Sequence, residues 1–251
     1  MKKIYLGTNW KMHKGLNEAM EYTREILQFH TPDNIQMFLI PPFTCLQSMS
    51  GRLKGTGIWL GAQNAHWEDE GDFTGEISLK MLKDFNIDII EIGHSERRRY
   101  YGETDYTVNK KTLAGIKNGI RVLICVGETA EDKSFEVSHE YVKRQVKIAL
   151  KDVPEDKTSQ IMLAYEPVWS IGASGAAARP DYVEGIHGTI KETLAELFGR
   201  NGSNIPVLYG GSVNLDNCTG FLKVRNVDGL FIGRAAWTAE NFRNIIRRVT
   251  E

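Results

Sequence analysis

The feature that most constrains this chain is a rhythm. Short β-branched apolar runs recur along it, each closed by Gly, Pro or polar residues and each followed by a longer amphipathic stretch. The runs cover residues 3–9, 37–41, 58–63, 87–92, 121–126, 160–165, 206–209 and 227–232. Helix-like segments occupy 16–29, 43–53, 76–85, 104–117, 135–150, 180–198, 215–224 and 238–248. In segment 135–150, Val137, Tyr141, Val142, Val146, Ala149 and Leu150 share one face while Lys143, Arg144 and Lys147 fall on the other, a helical period. Near-continuous apolar stretches such as Ile89-Ile90 and Val122-Leu123-Ile124 suit strands covered on both faces, as in a parallel sheet wrapped by helices. Eight such units in 251 residues predict an α/β fold, a closed (β/α)8 barrel with each strand followed by a helix. A doubly wound open sheet competes, but it usually carries a Gly-x-Gly-x-x-Gly turn after its first strand. Here that strand ends in Thr8-Asn9-Trp10-Lys11. No Pro-rich or Ser-rich linker, low-complexity tract or charge block marks a boundary, so residues 1–251 are expected to form one barrel domain.

Composition narrows the function classes. Lys plus Arg is 31 and Asp plus Glu is 32, a formal net charge of −1, so no whole-chain field recruits nucleic acid or an anionic membrane. The longest apolar runs fall far short of the roughly 20 residues that span a bilayer. Met1-Lys2-Lys3 is basic, but Ile4-Tyr5-Leu6 is cut off by Gly7-Thr8-Asn9, too soon for a secretory apolar region, and a cytoplasmic protein is expected. Cys45, Cys125 and Cys218 are odd in number, far apart, and without a second Cys or His at zinc-ligand spacing. Three buried, reduced thiols are expected, with no metal site.

In a barrel the reactive groups gather at the carboxyl ends of the strands. Those ends carry Asn9 and Lys11, Gly93-His94-Ser95-Glu96, Tyr165-Glu166-Pro167, Gly210-Gly211-Ser212 and Gly233-Arg234. If the barrel closes, a carboxylate, an imidazole, an ammonium and a Gly-rich phosphate cradle converge. Glu166 follows five apolar or aromatic residues and precedes a rigid Pro, a placement that suits a general base but also a surface Glu opening a loop. His94 stands where a strand hands over to a helix-like turn, whose positive end favours a neutral ring able to donate a hydrogen bond to a substrate oxygen. Structural roles are expected for His13, His30, His66, His139 and His187. Lys11 offers a point charge to a developing oxyanion, unless it is a surface lysine. The glycines after the seventh and eighth runs fit backbone N–H groups that hold an anion.

The motifs Asn9-Trp10-Lys11-Met12, Gly61-Ala62-Gln63-Asn64, Phe73-Thr74-Gly75-Glu76-Ile77-Ser78 and Gly93-His94-Ser95-Glu96-Arg97-Arg98 closely resemble the triosephosphate isomerase family. So do Cys125-Val126-Gly127-Glu128, Tyr165-Glu166-Pro167-Val168-Trp169 and Tyr209-Gly210-Gly211-Ser212-Val213-Asn214. The match runs from first strand to last. Pairing a Glu base with a neutral His electrophile is the established chemistry of that family and is carried over from it. The resemblance implies that Glu166 shuttles a proton between adjacent carbons, His94 polarises the substrate oxygens, and Lys11 with Asn9 stabilises an enediolate. Glu96 supports Lys11. The segment 167–178, with Pro167, Val168 and Trp169 at one end and Ala176, Ala177 and Ala178 at the other, is expected to be a lid that excludes water. Gly172, Ser212 and Gly233 are expected to hold the phosphate, with Arg234 beside them. The resemblance also implies a small phosphorylated sugar as substrate, no cofactor, and a homodimer in which Phe73, Thr74 and Gly75 enter a pocket of the neighbouring subunit.

Two features depart from the family pattern. The lid contains Ile171-Gly172-Ala173-Ser174-Gly175-Ala176-Ala177-Ala178-Arg179-Pro180, one residue longer than typical and without the usual Lys-containing hinge. Arg234 replaces the usual second Gly after the eighth run, which restricts φ and adds a cation near the phosphate. With Pro42-Phe43-Thr44 and Ala65-His66-Trp67, these features resemble a branch that isomerises tetrulose phosphates such as L-erythrulose 1-phosphate in erythritol breakdown. The substrate is therefore expected to be either a triose phosphate, the family default, or a tetrulose phosphate. Schiff-base aldol chemistry through Lys11 and a non-catalytic sugar-phosphate sensor are the competing readings.

Overall fold

The computed structural model describes residues 2–171 and 177–250. Eight parallel strands, β1 (Ile4–Asn9), β2 (Ile35–Ile40), β3 (Trp59–Ala62), β4 (Ile89–Ile92), β5 (Arg121–Val126), β6 (Ile161–Tyr165), β7 (Val207–Tyr209) and β8 (Gly229–Ile232), pair in sequence order. β1 also pairs with β8, Tyr5 opposite Gly229 through Thr8 opposite Ile232, and this closes the barrel. Between the strands run α1 (Leu16–Ile26), α2 (Phe43–Leu53), α3 (Leu79–Lys83), α4 (Ser95–Tyr101), α5 (Asp105–Lys117), α6 (Ala130–Ser134), α7 (Ser138–Ala149), α8 (Pro180–Ser203), α9 (Cys218–Leu222) and α10 (Ala239–Thr250). Among the described residues no helix is long and apolar enough to cross a membrane.

The core has two layers, because successive strand residues point to opposite faces. On β2, Phe38 and Ile40 face the barrel axis while Ile35, Met37 and Leu39 pack under the helices. The inner layer also contains Ile89, Leu123, Cys125, Met162, Ala164, Leu208 and Phe231. Gly7 makes room for it: a Cβ there would lie 2.0 Å from the Phe38 ring, which stacks on Phe231 with centroids 5.8 Å apart. All three cysteines are free and buried.

Several helices are shorter or more broken than their apolar period predicts. Segment 76–85 yields only α3, because the Ser78 hydroxyl accepts from Met81 N at 3.2 Å and sets the start there. Segment 135–150 begins instead at Ser138: Glu136 takes φ 59°, and Val137 is left 40% exposed rather than packed with Val142 and Val146. The helix-like turn after His94 is a full helix, α4. Segment 180–198 continues to Ser203 through a break at Gly199, φ 55°. Segment 215–224 shrinks to α9, since the preceding residues form a turn in which Asn214 N donates to Asn217 Oδ1 at 2.8 Å.

Candidate active site

Strand parity decides which side chains enter the barrel mouth. Asn9, Glu91 and Glu166 share the inward register of Tyr5, Ile89 and Ala164, and all three are buried. A cavity of about 480 Å³ opens there, lined by Asn9, Lys11, His94, Glu96 and Glu166. Ser212, Gly233 and Arg234 line it from the β7 and β8 side. Five strands thus deliver the predicted residues to one place.

Each is held by its neighbours. Glu166 N donates to Val126 O at 2.8 Å. Two glycines let the residue sit so close: a Cβ on Gly127 would be 1.9 Å from the Glu166 carbonyl oxygen, and one on Gly210 would be 2.8 Å from its Cγ. His94 caps α4, its Nδ1 accepting from Glu96 N at 3.1 Å. An accepting Nδ1 has no proton, so the neutral ring carries its hydrogen on Nε2, which lies 3.7 Å from Glu166 Oε2. Gly93, at φ 74°, turns the chain into that position, and Arg98 Nε grips its carbonyl at 2.7 Å. Lys11 has φ 53°, a left-handed conformation disfavoured for a residue with a Cβ. Its backbone N donates to Asn9 Oδ1 at 2.6 Å, and Gln63 Nε2 donates to its carbonyl at 2.8 Å. Its Nζ meets Glu96 Oε1 at 2.6 Å.

The two ends of the expected lid are anchored differently. Pro167 is buried, Val168 N donates to Glu128 O at 3.0 Å, and Trp169 Nε1 donates to Glu128 Oε1 at 2.7 Å. Fully buried Glu128 also accepts from Tyr165 and Tyr182 hydroxyls. Burial first, and then that carboxylate, push the Tyr165 phenol above its usual range and Tyr182 up to about 12. Ala178 is buried and Ala177 exposed. Gly172 and Ala176 lie outside the described residues. Phe73, Thr74 and Gly75 form an exposed turn that does not line the cavity, closed by Glu76 N donating to Phe73 O at 3.0 Å.

Two residues were not anticipated. His13, expected to be structural, lines the cavity, its ring 4.1 Å from that of Trp237. The left-handed turns at Lys11 and Lys14 bring it to the mouth, and its position two residues beyond Lys11 was the available signal. Glu91 is completely buried, and its Oε2 accepts from Asn9 Nδ2 at 2.7 Å. Burial chiefly pushes its carboxyl up to about 7, Glu166 adding to the rise while His94, Asn9 and Lys11 oppose it. One ligand-type atom each from Glu91, His94 and Glu166 lies within 4.8 Å of the others. A lone acid inside the apolar run 87–92 was the signal. By contrast His187 is structural as expected: fully buried, its Nδ1 is 3.1 Å from Asn226 O, and burial lowers it to about 4.

Fold and cavity together define a (β/α)8 barrel with a carboxylate, an imidazole and an ammonium gathered in one cavity at the strand ends. The triosephosphate isomerase family model matches residues 4–249, and the chain belongs to that family. It is 44% identical over 254 residues to the L-erythrulose-1-phosphate isomerase of Mesorhizobium japonicum, covering 100% of this chain and 99% of that relative. The proteins of the same name from Rhizobium rhizogenes and Rhizobium etli are 44% and 43% identical over 250 residues, with 98% of this chain and 94% and 92% of the relatives covered. The chain is an isomerase.

Proposed function

We propose that this isomerase acts on a tetrulose phosphate, L-erythrulose 1-phosphate, in preference to a triose phosphate. The observation that carries the choice is the near-full-length likeness to proteins of that name. Arg234 supports it. The residue lines the cavity with no carboxylate in ion-pair range among the described residues, which leaves it available to a phosphate.

The geometry supports the following mechanism. The phosphate rests against Ser212, Gly233 and Arg234, which directs the sugar toward Glu166 and His94. Glu166 removes a proton from the carbon beside the carbonyl, and the electron pair moves onto the carbonyl oxygen as an enediolate. The Nε2–H of His94, the second amide hydrogen of Asn9 and the Lys11 ammonium face that charge. Glu166 then returns the proton to the neighbouring carbon, and the carbonyl has moved by one position. In a tetrulose 1-phosphate the first carbon carries the ester, so the carbonyl moves away from it and the product is a second ketose phosphate. No cofactor is required by these steps. The exposed turn of Phe73, Thr74 and Gly75 serves homodimer formation, and the enzyme works in the cytoplasm, with no nucleic-acid or membrane partner. Measured kcat/KM for L-erythrulose 1-phosphate is expected to exceed that for dihydroxyacetone phosphate; the opposite order overturns the substrate assignment.

A further inference from the structure

We propose that Glu91 is a positioning residue of the isomerase site, fixing the Asn9 amide and remaining uncharged beneath the enediolate during turnover. The inference rests on the isomerase chemistry above but not on which sugar phosphate is turned over.

The Asn9 amide is held at both ends. Its Oδ1 accepts from Lys11 N at 2.6 Å, and its Nδ2 donates to Glu91 Oε2 at 2.7 Å. An amide flip would set carbonyl against carboxyl and N–H against N–H, so the orientation is fixed. One Nδ2 hydrogen is used by Glu91, and the other is left for the cavity that Asn9 lines. Without Glu91 the amide loses the partner that aims it.

The charge state follows from what faces the carboxyl. From β1 and the turn after it come Asn9 and Lys11; from the end of β4, His94; from β5, the Cys125 thiol at 3.6 Å; from the end of β6, Glu166. β3 contributes Gly61 and Ala62, which carry no charge. Lys11 is the fixed cation of this set and is already paired with Glu96. His94 accepts at Nδ1 from Glu96 N and turns Nε2 toward this set. An anionic Glu91 would therefore place a second buried carboxylate beside Glu166 and under a negative intermediate, which like-charge repulsion and burial both oppose. Oε2 accepts from Asn9 Nδ2 and Oε1 accepts from the Cys125 Sγ–H, so a proton on the carboxyl sits on Oε1 beside that weak thiol donor. The raised pKa of about 7 agrees with this arrangement. As pH climbs through that value Glu91 ionises, and turnover falls.

The test compares Glu91→Gln and Glu91→Leu with the parent across pH 6 to 8, on dihydroxyacetone phosphate and L-erythrulose 1-phosphate. Gln keeps an acceptor for Asn9 and cannot ionise. Its kcat/KM is expected within about threefold of the parent at pH 6, and the parent's decline toward pH 8 is expected to be absent. Leu removes the acceptor, and kcat at pH 6 is expected to drop about tenfold while KM stays within about twofold. A Leu variant with unchanged kcat, or a Gln variant whose pH profile coincides with the parent's, overturns the proposal. Should Leu prevent folding, infrared spectra of the parent and the Gln variant decide the charge state. The C=O stretch of a protonated buried carboxyl is expected at pH 6 in the parent alone, and no difference between the two overturns it. A wrong substrate assignment shows in the parent's preference and leaves these ratios unaffected.

Discussion

His94 Nε2 lies 3.7 Å from Glu166 Oε2, with both side chains almost entirely buried. That carboxylate oxygen has no hydrogen-bond partner among the described residues. An unpartnered buried oxygen is destabilising by at least about 1–3 kcal/mol. It is also an oxygen not already occupied by a protein donor, as a proton-abstracting base requires. Glu166→Gln is expected to lower kcat by roughly 10²–10⁴-fold, the range for a positioned acid–base group, and to abolish substrate-dependent uptake of solvent deuterium at carbon. The same variant is expected to unfold at a higher temperature than the parent. Retained exchange would remove the proton-shuttle role.

The His94 tautomer is set by Glu96 N donating to Nδ1 at 3.1 Å. Nitrogen NMR of the imidazole at neutral pH is expected to show a neutral ring with hydrogen on Nε2. His94→Asn is expected to lower kcat by about 10²–10³-fold, as for loss of one oxyanion donor. A protonated Nδ1 in the parent would contradict the assignment.

Arg234→Gly restores the residue usual in the family and removes the cation from the cavity. The ratio of kcat/KM for tetrulose to triose phosphate is expected to fall, largely through KM. An unchanged ratio would show that the arginine does not tune substrate choice.

His187 gives the stability a pH dependence. Its folded pKa is lowered to about 4 from an unfolded value of 6.5, so above 6.5 both states are neutral and the contribution is complete. Between 6.5 and about 4 the unfolded chain binds a proton that the folded state refuses, and roughly 3 kcal/mol is lost across that window. His187→Gln is expected to flatten the urea-unfolding free energy over the same range. A parallel pH dependence in parent and variant would assign the effect elsewhere.

Tyr165→Phe removes the hydroxyl that donates to both Glu128 oxygens at 3.1 Å and leaves a fully buried carboxylate with fewer donors. Stability is expected to fall by about 1–3 kcal/mol, which in a protein of this size moves the unfolding midpoint by roughly 2–10 °C. A midpoint within a degree of the parent's would show that Trp169 and Tyr182 satisfy the carboxylate alone.

The barrel was legible because its evidence is periodic. The run at 121–126 coincides with β5, and its apolar residues are buried on both faces. The mouth residues were legible because they interrupt such runs at their ends, as Asn9 and Glu166 do. Glu91 was hidden for the opposite reason: flanked by Ile89, Ile90 and Ile92, it belongs to the run and not to its end, and only strand parity reveals that it faces inward. His13 was hidden because two left-handed lysines, whose backbone conformation no composition rule announces, carry it to the rim. Helix lengths were least legible, since Ser78 and Asn214 shorten helices through single side-chain bonds that hydrophobic period ignores.

The Phe38 ring, seated where Gly7 has no side chain and stacked on Phe231, makes the cylinder a cup with a solid floor. Reactant and product must then share one doorway. Whatever leaves blocks whatever enters, so inhibition by accumulated product is expected to be strictly competitive, with no route for it to drain through the far side.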